Sequence, residues 1–429
     1  MRTLIACSVV LLALAGCGGG GDDDAKGGGG SGGPVTITFW HGQNQIAGKT
    51  INKLVDDFNA SQDKVKVDPQ IGAPADGLLE KMTAALAGGK YPDVSFQFGP
   101  NVANLARSPK AADLTEAVKG DGWNWDDFFP PAREAVTVDG KVRAIPALID
   151  SMAVVYNKKL FEQAGIDPPQ AGWTWDDYRA TAKRLTDAGK GQFGTGWPGV
   201  GDEDTTWRIW PMVWSAGGDV LAEGGESVGY EGESGQRALQ TVQDMAQADK
   251  SVYVDKTVGS EKMYGVFNNG RMGMVPTGPW QLPEIIENKV DYGVVPMPTY
   301  DGQPVTISGP DTWMIFDNGD AKVKAAEEFV RWLTQPEQDA VWDVKAGSLP
   351  LRKSSSEQAV WTDHVKEVEG LDTFVEVLQN ARVRPVIEAY PEVSEAFGKA
   401  IASVLLGQAD AAKAQQSAVD GGNAALKDQ

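Results

Sequence analysis

Fourteen tryptophans and fifty-nine acidic side chains supply most of the groups in this chain that could do chemistry. Tryptophans in a cleft offer flat faces on which sugars and other ligands stack. Trp280 follows Thr277-Gly278-Pro279, where a strand ends, and Gly278 and Pro279 set a turn that could present the ring to a crevice. A packed core tryptophan is an equal reading, and Trp313, in Gly309-Pro310-Asp311-Thr312-Trp313, stands on the same footing. Trp207, Trp210 and Trp214 recur every three or four residues and read as one helical stripe facing a core. Asp150 lies between the apolar runs 145–149 and 152–155. A carboxylate there is costly to bury unpaired, so it faces water at a strand end or meets a polar ligand. Taken alone it reads as a turn aspartate. The acidic pairs Asp126-Asp127 and Asp176-Asp177 and the run Asp202-Glu203-Asp204 read as caps and solvated faces. No two carboxylates stand out with the opposed environments that glycoside hydrolysis needs.

Several chemistries are excluded. With His41 and His364 as the only histidines and no Cys/His ligand spacing, a histidine-rich metal site is not expected. Gly194-Thr195-Gly196-Trp197-Pro198-Gly199 matches a dinucleotide fingerprint by letter, but no strand runs into it and no helix opens from it, so it reads as a loop. No phosphate-binding P-loop and no Gly-x-Ser-x-Gly nucleophile elbow is present. No cofactor is expected. The formal net charge of −20 argues against nucleic acid, which needs a basic footprint, and gives no long-range attraction to anionic solutes.

The elements that must position these residues follow from periodicity. Residues 35–40 alternate and are β-branched or aromatic, a strand; 51–59 has helical spacing, and 65–67 starts a second strand. Residues 78–87 form a helix ended by Gly88-Gly89, and 94–98 a third strand. This β-α-β-α-β order predicts an α/β lobe with parallel strands. Thr174 and Asp177 form a capping box for a helix reaching about residue 188. Strands are expected near 152–156, 272–276, 292–296 and 313–316, and helices thereafter, with the chain frayed from Gly421. At 429 residues, two domains are the natural expectation.

The first residues carry an address. Arg2, an apolar run over 4–14 and Leu14-Ala15-Gly16-Cys17 resemble the lipobox of bacterial lipoproteins. The apolar run falls short of the roughly 20 residues a membrane-spanning helix needs. The resemblance implies removal of 1–16 and acylation of Cys17. Residues 17–34, glycine-rich with Asp22-Asp23-Asp24, read as a flexible tether.

From residue 35 on, the chain resembles a family 1 extracellular solute-binding protein of ABC importers, the group with maltose-, trehalose- and glycerol-phosphate-binding proteins. The landmarks are Ile37-Thr38-Phe39-Trp40, then Ala84-Ala85-Leu86-Ala87-Gly88-Gly89-Lys90-Tyr91-Pro92-Asp93-Val94, then Tyr156-Asn157-Lys158-Lys159-Leu160-Phe161. Phe267-Asn268-Asn269-Gly270-Arg271-Met272-Gly273-Met274 and Gly278-Pro279-Trp280 follow in order. The resemblance implies a two-lobed α/β fold of the type II periplasmic-binding-protein kind. The N-terminal lobe would comprise 35–146 and 296–333, and the C-terminal lobe 147–295 and 334–429. Segments would cross near 144–148, 294–297 and 333–336. It implies no catalysis; a carbohydrate, neutral and mono- or oligomeric, as solute; a phosphorylated polyol as alternative; and a secreted glycoside hydrolase as a more distant one. The partners implied are two membrane-spanning permease subunits and, through the lipid, the outer face of the cytoplasmic membrane, with the protein a monomer. It places Trp40, His41, Gln43 and Asn44 after the first strand, Gln97 at the end of the third, Asp150 after the first crossing, and Trp280 as the stacking tryptophan. Gly309, Asp311 and Trp313 fall on another cleft loop, and Arg384 near the phosphate-binding arginine of the glycerol-phosphate binders.

Overall fold

The structure is a computed structural model that describes residues 33–300 and 305–427. The expected signal segment and Cys17 lie outside the described residues, as does the tether up to residue 32. The strands that matter for the cleft are, in chain order, β1 (Val35–Trp40), β2 (Val65–Gln70), β3 (Val94–Phe98), β4 (Ile145–Leu148), β5 (Ala153–Asn157), β6 (Thr195–Pro198), β7 (Val252–Asp255), β8 (Met274–Thr277), β9 (Tyr292–Pro296) and β10 (Asp311–Ile315). The helices are α1 (Gln45–Ser61), α2 (Leu78–Ala87), α3 (Trp175–Leu185), α4 (Glu203–Trp207), α5 (Glu261–Asn268), α6 (Asp320–Leu333), α7 (Pro336–Ala346), α8 (Tyr390–Leu405) and α9 (Ala411–Lys427).

One sheet has the order β2-β1-β3-β10-β4. β1 pairs in parallel with β2 and β3, as the β-α-β-α-β pattern requires. β10 arrives from two hundred residues away and lies antiparallel to both β3 and β4. Local pattern cannot foresee that insertion. The second sheet has β5 at its centre, antiparallel to β8 and β9. β6 joins it, because Met274 and Gly273 donate backbone hydrogen bonds to Gly194 and Phe193, and β7 pairs in parallel with β6.

The segment 194–199, read from sequence as a loop, therefore contains a buried strand. Its glycines admit close neighbours: a Cβ on Gly194 would sit 1.9 Å from the Ala182 carbonyl oxygen, and one on Gly196 would sit 2.5 Å from the Met272 methyl. Trp197 supplies the buried bulk. The capping box is present, with Thr174 Oγ1 accepting from the Asp177 amide and Asp177 accepting from the Thr174 amide, but α3 ends at Leu185. The expected fraying from Gly421 does not occur. α9 continues to Lys427 and docks, with Asn423 accepting from the Val228 amide and Gly422 close to the Tyr230 hydroxyl.

Apolar side chains form two clusters. The first runs from Ile37, Phe39 and Phe96 onto one face of the second sheet, through Val155 and Val275. The second holds Trp175, Trp197, Trp210, Phe397 and Ile401. Beyond residues 333–336, the third expected crossing, Trp342, Ala346 and Phe374 still pack in the first cluster. Between the sheets the chain passes along 149–152 beside 306–308, where Met152 donates to Ile307 and Thr306 Oγ1 donates to Met152.

Candidate ligand-binding cleft

The carboxyl ends of β1, β3 and β4 meet at one edge of the first sheet. Open α/β sheets bind ligands outside such ends. Because β10 is antiparallel, its first residue falls there too: Asp311 pairs across from Phe98 and Leu148. A cavity of about 210 Å³ opens at this edge. Gln43 and Asn44 enter it from the turn after β1, Asp150 from the segment after β4, and Gly309 and Asp311 from the start of β10. The facing wall comes from α4, from Trp280 after β8, and from Gly347-Ser348 after α7.

Glycines let the walls approach. Gly309 donates its amide to Asp150 Oδ1 at 2.8 Å, and a Cβ there would lie 2.9 Å from Arg384 Nη2 and 3.3 Å from Trp207 Nε1. The Trp280 ring folds back over Gly278, where a Cβ would be 1.8 Å from it. Gly347, with φ +78°, ends α7 against the Pro279 carbonyl. Trp280 meets Trp207 edge to face, centroids 5.4 Å apart at 62°. At the rim Asn44 Nδ2 donates to Glu261 Oε1 on α5 at 2.7 Å.

Both guanidinium groups in the cavity wall are held by carboxylates of the protein itself. Arg384 donates to Glu203 at 2.8 Å and lies 3.8 Å from Asp311. Glu203 also accepts from Tyr390 and Ser394. Burial works against the Arg384 charge, but Glu203, with Tyr390 and Asp311, holds its pKa above the usual arginine value. Arg208 donates to Asp204 at 2.9 Å, to the Tyr264 hydroxyl at 2.6 Å and to the Pro276 carbonyl. Burial pushes the Asp150 carboxyl up to about 7, against the opposing pull of the Gly309 amide and of Arg384.

Of the residues singled out from sequence, Gln43, Asn44, Asp150, Trp280, Gly309, Asp311 and Arg384 come together on this cavity. Trp40, His41, Gln97 and Trp313 do not line it. Trp40 sits at the β2 side of the sheet, donating to Gln70 and covered by Lys81 at 4.6 Å. His41 is buried, its Nδ1 accepting from the Gln43 amide at 3.0 Å, and burial pushes its pKa down to about 4. It shapes the turn that presents Gln43. Gln97 is buried against Ser95 and Asn101. Trp313 lies two residues further into the sheet than Asp311 and packs edge-on against Phe39 and Phe96 in the core.

Sequence reasoning missed Glu203, Trp207 and Arg208, which stand on one turn after the Asp202 cap. Trp210 and Trp214 of the same stripe are core, as expected, but Trp207 at its start lines the cavity. Among the described residues, no group of three or more His, Cys, Asp or Glu is placed to hold a metal ion, and no helix is long and apolar enough to cross a membrane.

A family model described as bacterial extracellular solute-binding protein matches residues 42–340. The chain belongs to that family. It is the solute-binding component of an ABC importer, extracellular or periplasmic, and not an enzyme. The hydrolase alternative is thereby set aside. The sn-glycerol-3-phosphate-binding periplasmic protein of Pectobacterium atrosepticum is 27% identical over 91% of this chain and 91% of its own length. The cyclic α-maltosyl-1,6-maltose binding protein of Arthrobacter globiformis is 28% identical, with a TM-score of 0.73 over 92% of this chain and 100% of that one. A solute-binding protein of Thermotoga lettingae bound to α-D-tagatose is 26% identical, with a TM-score of 0.80 over 91% and 100%. The fold is the α/β type II periplasmic-binding-protein fold.

Proposed function

We propose that this solute-binding protein captures a neutral mono- or oligosaccharide in the cleft and hands it to a membrane permease. The observation that carries the reading is the charge of the cavity wall. Asp150, Glu203, Asp204, Glu284 and Asp311 face Arg208 and Arg384, and both arginines already have carboxylate partners. A phosphate brought there would compete with those carboxylates and meet a surplus of negative charge. Sugar hydroxyls carry no net charge and can donate to Asp150 and Asp311, with Trp280 and Trp207 covering the C–H face of the ring. A phosphorylated polyol stays the second reading, favoured by the similarity to the glycerol-phosphate binder and by Arg384 itself.

In this reading Gln43, Asn44, Asp150, Trp280, Gly309, Asp311 and Arg384 surround the solute, joined by Trp207. The lobes hinge along 149–152 and 306–308, and closure signals the loaded state to the permease. Acylated Cys17 would hold the protein at the outer face of the cytoplasmic membrane, where a tether keeps it at high effective concentration beside its transporter.

A thermal-shift panel of sugars, sugar phosphates and sn-glycerol 3-phosphate tests the solute class. A ligand at 100 times its Kd stabilises the fold by about 2.7 kcal/mol. A response to neutral sugars supports the proposal; a response confined to phosphorylated compounds overturns it. Fractionation of cells carrying Cys17→Ser tests the anchor, with release from the membrane expected.

A further inference from the structure

Arg384 borders two cavities. One is the cleft cavity. The other, about 340 Å³, is lined by the same residue together with Pro100, Ala135, Asp219 and Leu221. The backbone agrees with the side chain: Gly309 lines the first cavity and Pro310, its neighbour, lines the second. Arg384 thus stands with 309–310 in the wall between them.

That wall is built to stay put. Arg384 is 4% exposed. It is held from two directions, by Glu203 on α4 at 2.8 Å and by Asp311 at the start of β10 at 3.8 Å. It also lies 5.8 Å from the Phe98 ring centroid. Gly309 leaves it no room on its near side, since a single added carbon would be 2.9 Å away. Swinging the side chain aside would break a buried ion pair, so the solute cannot readily push through.

We propose that Arg384 sets the length of the solute. It closes the end of the first cavity, limits the bound sugar to what that cavity holds, and keeps the second cavity out of the binding site. Removing it would join the two spaces. The second cavity has polar groups of its own, Glu134, Asp219 and Arg382, that could meet further hydroxyls. The kind of solute rests on the carbohydrate reading above; the partition rests on geometry alone.

Arg384→Ala is the direct variant, and Glu203 keeps Tyr390 and Ser394 as donors in it. Leu221→Trp is the complement, filling the second cavity from a residue that does not line the first. Titration calorimetry on wild type, both single variants and the double variant would use glucose, maltose, maltotriose and maltotetraose, the matching xylose series, and sn-glycerol 3-phosphate. The wild type should gain no affinity with added sugar units. Arg384→Ala should gain about tenfold or more for the longer sugars relative to the monosaccharide. Leu221→Trp should cancel that gain and leave wild-type binding unchanged. Affinity in the wild type that climbs with chain length, or wild-type binding weakened by Leu221→Trp, overturns the partition. If only sn-glycerol 3-phosphate binds, the carbohydrate reading fails. The partition is then decided by whether Leu221→Trp leaves that affinity alone. If no probe binds, a crystal structure of Arg384→Ala decides: one continuous space is expected, and two separate cavities would overturn the proposal.

Discussion

Two clusters in this protein bury arginine among carboxylates, and they behave differently. In the cleft, Arg384 and Arg208 sit with Glu203, Asp311 and Asp204 at the edge of an open space. Outside the cavity lining, Arg352 sits with Asp339 and with Asp127 at 4.0 Å, and Asp343 lies one helical turn after Asp339 on α7. This second cluster is closed. Arg352 donates to the Trp123 carbonyl and Thr334 and lies 3.7 Å from the Phe128 ring centroid. The Leu351 amide serves Asp339 and the Ser348 hydroxyl serves Asp343. Burial lowers Arg352 to about 10, pushes Asp339 up to about 7, and with the Asp339 charge pushes Asp343 well above the ordinary carboxylate range. In the cleft the carboxylates outweigh burial and hold Arg384 above its usual value. The same side chains therefore serve as internal structure where donors are supplied by the protein, and as a recognition surface where the space beside them is open to a solute.

The sharpest break between the two clusters is expected from Arg352→Ala. Removing the arginine strands buried carboxylates and should cost about 3–5 kcal/mol in urea unfolding, with solute affinity of the folded fraction unchanged. An affinity loss instead would mean the core cluster belongs to the binding site. Next in size, Trp280→Ala should weaken solute binding by about 2 kcal/mol or more while leaving the urea midpoint nearly in place, since the half-buried ring faces the cavity. Binding at wild-type strength would remove Trp280 from the site.

The pH dependence separates the clusters further. Asp150 and Asp339 both have folded pKa values near 7, above the unfolded value of about 4. The folded state therefore binds more protons, and the stability each contributes is fully present below about pH 4 and lost as pH rises through about 7. Asp339→Asn and Asp150→Asn should each flatten thermal stability across that window. Solute affinity should also rise with pH near 7, as Asp150 becomes a better acceptor for hydroxyls, by about 1 kcal/mol in all. Asp150→Asn should abolish that rise and Asp339→Asn should keep it; the reverse pattern would exchange the roles assigned to the clusters. The smallest effect, about 0.5–1 kcal/mol, is expected from Asn44→Ala, which removes the rim bond to Glu261. Stopped-flow release should quicken modestly, and an unaltered rate would count against a closing role for that bond.

Much of the fold was legible because its signals are local. The alternation in 35–40, the strand at 94–98, the 78–87 helix with its glycine stop, and the Thr174–Asp177 box each depend on neighbours within a few residues, and each element is present. The failures have a physical pattern. β6 was hidden because glycines that usually mark loops here allow close sheet packing. α9 was hidden because its last turns are held by docking on Val228 and Tyr230, contacts almost two hundred residues away.

The candidate site divides along the same line. Trp280 and Trp313 have equal claims by sequence, each behind a Gly-Pro turn, and only the sheet separates them. The antiparallel insertion of β10 leaves Asp311 at the cavity and carries Trp313 about 7 Å further into the core. Likewise Trp207 was one of three in a stripe, and its place at the end of a short helix beside Trp280 decided its role.

By itself the sequence determined the family, the two α/β halves and the types of side chain available for recognition, since these follow from pattern and order along the chain. Tertiary structure alone decided which tryptophan and which aspartate face the cavity, and that its arginines are already paired. Those facts depend on groups such as Arg384 and Glu203, 181 residues apart, meeting within 2.8 Å.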